Sequence, residues 1–280
     1  MPKVNVSDIQ MYYEVRGEGF PLVMIMGFGG NLGGWDPRLV EGLSKHFKLI
    51  LFDHRGAGRS DDSDRKYTIR LFADDTAGLM DTLGISKAHI LGYSMGGFIA
   101  QELAINYPER VSKLVLCSTG SHWSPDEYNS KLKSAMEKGY SLDELTNLIL
   151  SFPFASDYPR DFLMENPIVV FCLTSEFVKE NPDLAKFLLQ RGAEIPLSLE
   201  GVRRRFSAIL RFNTQARLKN IKAPTLVLHG RKDMQFCPDQ YGSSLAKAIP
   251  NAKLVIFEKS AHFLAEEMSE VIRVITEYLL

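Results

Sequence analysis

Six short, unbroken apolar runs constrain the fold of this chain more than any other feature of its sequence. Each run has the length of a strand and is bounded by turn residues, and helical patterns lie between them. Strands that are apolar without alternation are buried on both faces, which is typical of a parallel sheet covered by helices. The runs are Leu22–Met26, Leu49–Phe52, His89–Leu91, Leu114–Cys117, Thr225–Leu228 and Leu254–Phe257.

Two alternating segments precede these runs and complete the predicted sheet. Val4–Val6 and Ile9–Val15 alternate apolar and mostly polar residues on either side of a turn at Ser7 and Asp8, which predicts a pair of strands. Helical patterns occupy residues 71–83, 98–107 and 271–280. The alternation of strands and helices predicts an α/β fold with a mostly parallel eight-stranded sheet and helices on both faces.

The segment from residue 121 to residue 216 breaks this alternation, because helical stretches recur there without a convincing strand. Ser141–Leu150 begins with a capping box, and further helical patterns cover residues 183–191 and 200–212. We predict a helical lid inserted before the penultimate strand, so that residues 1–120 and 217–280 form the core domain and residues 121–216 the cap.

Two groups of side chains within the predicted cap have a structural and a functional interpretation. The basic run Arg203–Arg205 suits a solvated helix face better than a clamp for an anionic substrate. The aromatic side chains suit the core of the cap better than the wall of an acyl pocket. These aromatic residues are Trp123, Phe152, Phe154, Phe171 and Phe177.

Charge and cysteine content narrow the class of partner. The chain has 33 Lys and Arg against 34 Asp and Glu, a net charge of −1, which argues against a general nucleic-acid or membrane-surface binder. The cysteines at 117, 172 and 237 are odd in number and form no C-x-x-C pair, so we expect a reducing cytoplasm rather than a disulfide or zinc framework. No apolar run is long enough for a membrane span, and homo-oligomerisation stays open.

The stretch Leu91-Gly92-Tyr93-Ser94-Met95-Gly96-Gly97-Phe98 lies where a predicted strand meets a predicted helix. A sharp turn there would expose the Ser94 hydroxyl at the carboxyl end of the sheet, and glycines at 92 and 96 would relieve the crowding. The free amides of the following helix, Met95 first, suit stabilisation of an oxyanion. G-x-S-x-G between strand and helix is typical of a nucleophilic serine.

The base and the acid that such a serine needs are expected after other strands of the same sheet. His262 follows the last predicted strand, and we predict that it is the general base. Asp233 follows the next-to-last strand and suits the acid that orients it, whereas Asp239 is the nearest alternative acid. We interpret His89 and His229 as structural; the other histidines are His46, which lies near a helix end, His54 and His122.

A glycine-rich loop after the first central strand offers the second oxyanion donor. Residues 27–34 contain five glycines, which allow the backbone to come close to a ligand. We predict that the Phe28 amide shares the oxyanion with the Met95 amide.

The motifs of this chain and their order resemble those of the α/β-hydrolase superfamily over nearly the whole chain. Met26-Gly27-Phe28-Gly29 comes first, and Asp53-His54-Arg55-Gly56-Ala57-Gly58-Arg59-Ser60 follows. The serine motif, Asp233 and His262 complete the set. Within the superfamily the chain looks most like small carboxylesterases, 3-oxoadipate enol-lactonases and cofactor-free chloroperoxidases, which share the S-M-G-G step.

The resemblance implies a Ser94–His262–Asp233 triad, oxyanion amides at Phe28 and Met95, and no metal or organic cofactor. It implies that Asp53, His54 and Arg55 are buried, loop-bracing groups. The family usually has His-Gly where this chain has Met26-Gly27, and glycines follow Phe28 where perhydrolases often have proline. The glycines in place of proline favour hydrolysis of a small-molecule ester or lactone through an acyl-enzyme.

Other reactions of the same fold stay open. A meta-cleavage-product hydrolase would split a carbon–carbon bond with the same triad, and a thioesterase or amidase would differ in the shape of the lid. A small-molecule receptor of this fold would bind its ligand with very slow turnover. A serine at position 94 excludes the dehalogenases and epoxide hydrolases that use aspartate as the nucleophile.

Overall fold

One eight-stranded sheet organises the computed structural model, which describes residues 3–123, 127–191 and 199–280. The strand order is β1-β2-β4-β3-β5-β6-β7-β8; β1 and β2 run antiparallel to their neighbours and β3 to β8 are parallel. The predicted mostly parallel sheet is therefore confirmed. The strands are β1 Lys3–Val6, β2 Ile9–Arg16, β3 Pro21–Ile25, β4 Lys48–Phe52, β5 Ala88–Tyr93, β6 Val111–Cys117, β7 Thr225–Gly230 and β8 Lys253–Phe257.

The eleven α-helices of the described residues either cover the two faces of the sheet or, for α4 to α9, lie between β6 and β7 in the chain. They are α1 Pro37–Ser44, α2 Ile69–Thr82, α3 Met95–Asn106, α4 Glu127–Glu137, α5 Leu142–Leu150, α6 Arg160–Glu165, α7 Ser175–Glu180, α8 Pro182–Gln190, α9 Leu199–Leu210, α10 Ser243–Ala248 and α11 Met268–Leu279. Within the described ranges, no helix combines the length and the apolarity needed to cross a bilayer.

Alternate side chains of the central strands enter two separate cores. Val23 of β3 packs in the core that holds α2 and α3, whereas Leu22 and Met24 pack in the core that holds α1 and α11. This two-sided burial is the reason that the central runs are apolar without alternation. The two-sided burial is weaker in the outermost strand β8, where Leu254 is only half-buried.

The insertion between β6 and β7 is helical, as predicted. Helices α4 to α9 lie there, and Ser141 and Glu144 form the predicted capping box. Residues 124–126 and 192–198 of the predicted cap lie outside the described residues. The division into a core of residues 1–120 and 217–280 and a cap of residues 121–216 stays a prediction.

Most of the aromatic residues predicted for this insertion pack against one another. Phe152, Phe154 and Phe171 have ring centroids 5.5 to 6.4 Å apart, and they share an apolar cluster with Phe177. Trp123 packs apart from them, with its ring 5.5 Å from that of Phe206. The prediction that these four phenylalanines pack together inside the helical insertion is therefore confirmed.

The basic run of α9 differs from its predicted solvated face. Arg203 is exposed, but Arg205 is 1% exposed and its Nη2 donates to the Arg55 carbonyl oxygen at 2.7 Å. The Arg204 guanidinium pairs with the Asp62 carboxylate at 3.1 Å. The prediction is wrong for Arg204 and Arg205, because both anchor α9 to the loop after β4.

Candidate active site

Ser94 lies at the tip of a strained turn between β5 and α3. Its φ of 55° and ψ of −120° are unusual for a residue with a side chain. The turn is held from β6, since the Ser94 amide donates to the Cys117 carbonyl oxygen at 2.9 Å and Thr119 Oγ1 donates to the Ser94 carbonyl oxygen at 2.8 Å. These bonds fix a serine at the carboxyl end of the sheet in a conformation that is costly for a free chain.

Glycines make the turn sterically feasible. A Cβ at Gly96 would lie 1.9 Å from the Ile25 carbonyl oxygen, and one at Gly92 would lie 2.4 Å from the Gly96 carbonyl oxygen. Contacts this short do not occur between real atoms, so glycine is required at both positions. The crowding is of the kind that the G-x-S-x-G pattern predicts.

His262 and Asp233 form a buried hydrogen-bonded pair. His262 follows β8 and Asp233 follows β7, and His262 Nδ1 lies 2.8 Å from Asp233 Oδ2. Because the carboxylate can only accept, Nδ1 is the donor, so a neutral imidazole in this position keeps its lone pair on Nε2. The other carboxylate oxygen accepts from the amides of Gln235 at 2.8 Å and Phe236 at 3.0 Å, which fixes its orientation.

The loops that carry Ser94 and His262 are in contact at the same edge of the sheet. The ring of Tyr93, which precedes Ser94, lies 5.1 Å from the His262 ring between centroids. Ser118 Oγ donates to the His262 carbonyl oxygen at 2.8 Å. The structure therefore places the predicted serine, aspartate and histidine after the carboxyl ends of β5, β7 and β8, at one edge of the sheet.

Asp239, the alternative acid, and two of the other histidines make contacts that do not involve Ser94. Asp239 pairs with Arg231 at 2.9 Å and its side chain is 76% exposed. The imidazole of His229 is buried, and its Nδ1 donates to the Phe236 carbonyl oxygen at 3.1 Å. His89 is buried against Phe20, with ring centroids 4.6 Å apart. This placement leaves Asp233 as the carboxylate that contacts His262.

The glycine-rich loop after β3 lies directly against the serine. A Cβ at Gly27 would lie 3.0 Å from Ser94 Cβ, so the backbone that leads to Phe28 passes beside the serine. The Phe28 ring in turn packs 6.1 Å from the ring of Phe206 on α9. The oxyanion role of the Phe28 and Met95 amides stays a proposal.

The loop is braced by groups from the segment after β4. His54 Nε2 donates to the Met26 carbonyl oxygen at 3.0 Å, and the Asp53 carboxylate accepts from the amides of Leu32 at 2.7 Å and Arg59 at 2.8 Å. Asp53 and His54 are both buried. His54 therefore supplies a brace although histidine is missing at position 26.

Arg55 is a buried structural group. Its guanidinium pairs with the Asp75 carboxylate, and Nη2 also donates to Asp8 at 3.1 Å. The interpretation of Asp53, His54 and Arg55 as buried, loop-bracing residues is confirmed.

Glu266 links the loop that carries His262 to the insertion, a role that no sequence motif indicated. One carboxylate oxygen accepts from the Thr174 amide of the insertion at 2.9 Å, and the other accepts from the Ala261 amide at 3.3 Å. The Phe263 amide donates to the Cys172 carbonyl oxygen at 3.0 Å. These bonds tie the His262 loop to the insertion. In the sequence Glu266 is only a glutamate four residues after His262, and this spacing does not predict a contact with the insertion.

We expect the free energy of unfolding to fall as the pH falls from about 6.5 to about 4. Burial lowers the pKa of His54, His89 and His229 from 6.5 to about 4. Between these values the unfolded chain binds more protons than the folded chain, so acid favours unfolding, by at most about 3 kcal/mol for each histidine. Urea unfolding near pH 7, 5.5 and 4.5 measures this loss.

The variant His89→Phe tests whether the loss comes from buried imidazoles. Phenylalanine suits the aromatic neighbours Phe20 and Phe47, which lie 4.6 and 6.0 Å from the His89 ring. The acid-induced loss should be smaller in this variant. Equal stability of the wild-type protein at all three pH values would contradict the prediction.

Comparison with known proteins agrees with this architecture. A protein named as a carbamate hydrolase, RutD, from Azorhizobium caulinodans is 29% identical over 262 residues, which cover 94% of this chain and 91% of that protein. The 2-hydroxy-6-oxo-6-phenylhexa-2,4-dienoate hydrolase of Comamonas testosteroni is 30% identical over 278 residues, which cover 95% and 89%. The solved structure of the enol-lactonase from Burkholderia xenovorans LB400 has a TM-score of 0.83 and 25% identity, with 99% of both chains covered.

The family assignment rests on most of the chain. Residues 21–268 match the α/β-hydrolase fold family, a range that runs from the start of β3 to the start of α11. It includes the serine turn, the insertion and both loops that carry His262 and Asp233. The chain therefore belongs to the α/β-hydrolase family, as its motifs predicted, and it is a hydrolase that resembles enol-lactonases and esterases.

Proposed function

We propose that this hydrolase cleaves a carboxylic ester or lactone with Ser94 as the nucleophile, His262 as the general base and Asp233 as the orienting acid. The observation that supports this most is the 2.8 Å hydrogen bond between His262 Nδ1 and Asp233 Oδ2 at the sheet edge where Ser94 occupies its strained turn. The bond leaves His262 Nε2 as a proton acceptor, which a serine nucleophile needs.

The reaction proceeds in two acyl transfers. Ser94 Oγ attacks the carbonyl carbon while His262 Nε2 takes the hydroxyl proton, and the carbonyl electron pair moves onto oxygen. The amides of Phe28 and Met95 stabilise that oxyanion, each by ~3–4 kcal/mol. The intermediate breaks the bond to the alcohol oxygen, which receives the proton from His262; an ester releases its alcohol, whereas a lactone ring opens. Water then repeats these steps on the acyl-enzyme and releases the acid.

Similarity to an enol-lactonase supports an ester or lactone as the substrate. Similarity to a dienoate hydrolase favours a second candidate, cleavage of a carbon–carbon bond beside a ketone. Steady-state rates on a 2-hydroxy-6-oxo-dienoate and on p-nitrophenyl acetate separate the two. A receptor of this fold would show ligand-dependent stabilisation with negligible turnover of either compound.

We expect a fluorophosphonate to label the protein once, on Ser94. An activated serine attacks phosphorus and displaces fluoride, whereas an ordinary serine hydroxyl does not. Intact-mass spectrometry gives the number of adducts, and peptide mapping gives the position. Ser86→Ala, at an exposed serine, should be labelled like the wild type. Ser94→Ala should stay unlabelled, and a modified residue other than Ser94 would contradict the proposed nucleophile.

A further inference from the structure

A cavity of about 430 Å³ lies between the sheet, the glycine-rich loop, the insertion and two helices. Leu39 of α1 contributes to one side, and Val271 and Ile275 of α11 contribute to the adjoining side. Leu188 and Val202 line it from the insertion. Val271 and Ile275 are 2% and 0% exposed, so the α11 side of this cavity reaches into the core.

The cavity is lined by residues that flank the proposed catalytic groups in the chain. Its lining includes Phe28, whose amide we assign to the oxyanion. It also includes Tyr93, which precedes Ser94, and Phe263, which follows His262. A group bonded to a carbonyl carbon at Ser94 therefore has the cavity as its neighbour.

The lining suits an uncharged occupant. Among the described residues that line the cavity, Asp36 alone carries a charge, and it is already paired with the Arg38 guanidinium at 2.6 Å and with the Arg38 amide at 2.8 Å. The Cys117 thiol is neutral because burial raises its pKa to about 12. A carboxylate or ammonium group would lose its water shell here without gaining an opposite charge.

The acyl group is the part of an ester that benefits from a cavity that reaches into the core. In the proposed reaction the alcohol leaves and water must reach the acyl-enzyme, whereas the acyl group stays bonded to Ser94 throughout. A dry apolar cavity of roughly 150 Å³ takes up a benzene ring, so about 430 Å³ is room for a medium-length chain.

We propose that this cavity binds an uncharged, apolar acyl group of the substrate and that Val271 and Ile275 on α11 limit its size. The inference rests on the proposed serine-hydrolase function and adds the substrate class to it. For p-nitrophenyl esters, kcat/KM should rise about two- to fourfold per methylene until the cavity is full. Longer chains should then react more slowly.

The variant Val271→Phe tests the inference by filling the α11 side of the cavity. The ratio of kcat/KM for p-nitrophenyl octanoate to that for p-nitrophenyl acetate should fall about tenfold or more. Val274→Phe makes the same change on the same helix at a residue outside the cavity lining, and its ratio should equal that of the wild type. Equal ratios in both variants would overturn the inference.

Ester turnover through Ser94 and ligand binding to the cavity together separate a failure of the inference from a failure of the proposed function. If ester turnover depends on Ser94 but not on acyl length, the inference fails and the function stands. If no ester is turned over through Ser94, the function fails, and a binding measurement decides the inference alone. In that measurement, 2-octanone but not octanoate should raise the unfolding temperature, and Val271→Phe should abolish the rise; stabilisation by both compounds alike, or by neither, would overturn the inference.

A chain on the alcohol side provides the last control. Alkyl acetates of increasing length place the same methylenes on the leaving group, and their kcat/KM should depend weakly on length in the wild type. Val271→Phe should leave that weak dependence as it is. A response of the alkyl acetates in place of the acyl series would overturn the assignment of the cavity to the acyl group.

Discussion

Ser94→Ala is expected to lower kcat for p-nitrophenyl ester hydrolysis by about 10⁵–10⁶-fold, with a much smaller effect on KM. The change removes the oxygen that forms the acyl-enzyme and keeps the Cβ, so the turn, its bonds to Cys117 and Thr119 and the oxyanion amides all remain. Residual activity should come from binding and the oxyanion amides alone.

Stopped-flow and steady-state release of p-nitrophenol measure this effect. The wild-type protein should show a burst of about one product per chain where deacylation is slower than acylation, and the variant should show none. Ser86→Ala removes an exposed serine that precedes β5, at the opposite end of that strand from Ser94, and should keep the wild-type rate. A Ser94→Ala protein with rates within tenfold of the wild type would show that another residue is the nucleophile.

The sheet could be predicted from the sequence because burial on both faces leaves a direct pattern. Leu49–Phe52 was predicted and β4 spans Lys48–Phe52; Leu22–Met26 was predicted and β3 spans Pro21–Ile25. The predicted start of α2 at residue 71 was late by two residues. Thr68 caps that helix by accepting from the Leu71 amide at 3.0 Å, and apolar periodicity does not report a cap.

Parts of the site that depend on long-range contacts could not be predicted. The brace from His54 to the Met26 carbonyl oxygen joins residues 28 apart in sequence, and nothing at either position indicates the other. The burial of Arg205 depends on the Arg55 carbonyl oxygen, 150 residues away. A run of three arginines looks solvated until the fold places a backbone acceptor beside one of them.

The placement of Ser94, His262 and Asp233 at one edge of the sheet could be predicted for a different reason, while their catalytic roles stay a proposal. Each follows an apolar run, and the carboxyl ends of parallel strands lie at one edge of a sheet, where sites of α/β folds assemble. Topology therefore brings together Ser94, Asp233 and His262 without any local signal that joins them.

Asp233→Asn is expected to lower kcat by about 10³–10⁴-fold with little loss of stability. In the wild-type protein the amides of Gln235 and Phe236 donate to Asp233 Oδ1 at 2.8 and 3.0 Å. The oxygen of the isosteric asparagine side chain can keep accepting both hydrogen bonds. Its NH₂ group would then face His262 Nδ1 as a donor. The imidazole would have to carry its proton on Nε2, where it cannot accept the Ser94 proton.

Steady-state kinetics and urea unfolding of the same protein preparation separate this tautomer effect from misfolding. Asp239→Asn makes the same chemical change six residues away, at an exposed carboxylate that pairs with Arg231, and should change kcat by less than about twofold. A large loss in Asp239→Asn with a small loss in Asp233→Asn would reverse the assignment of the acid. In the Asp233→Asn variant, two amides already hold the side-chain oxygen. Rotation of the side chain to restore an acceptor toward His262 would leave both amides facing an NH₂ donor, so the variant has no inexpensive way to recover the productive tautomer.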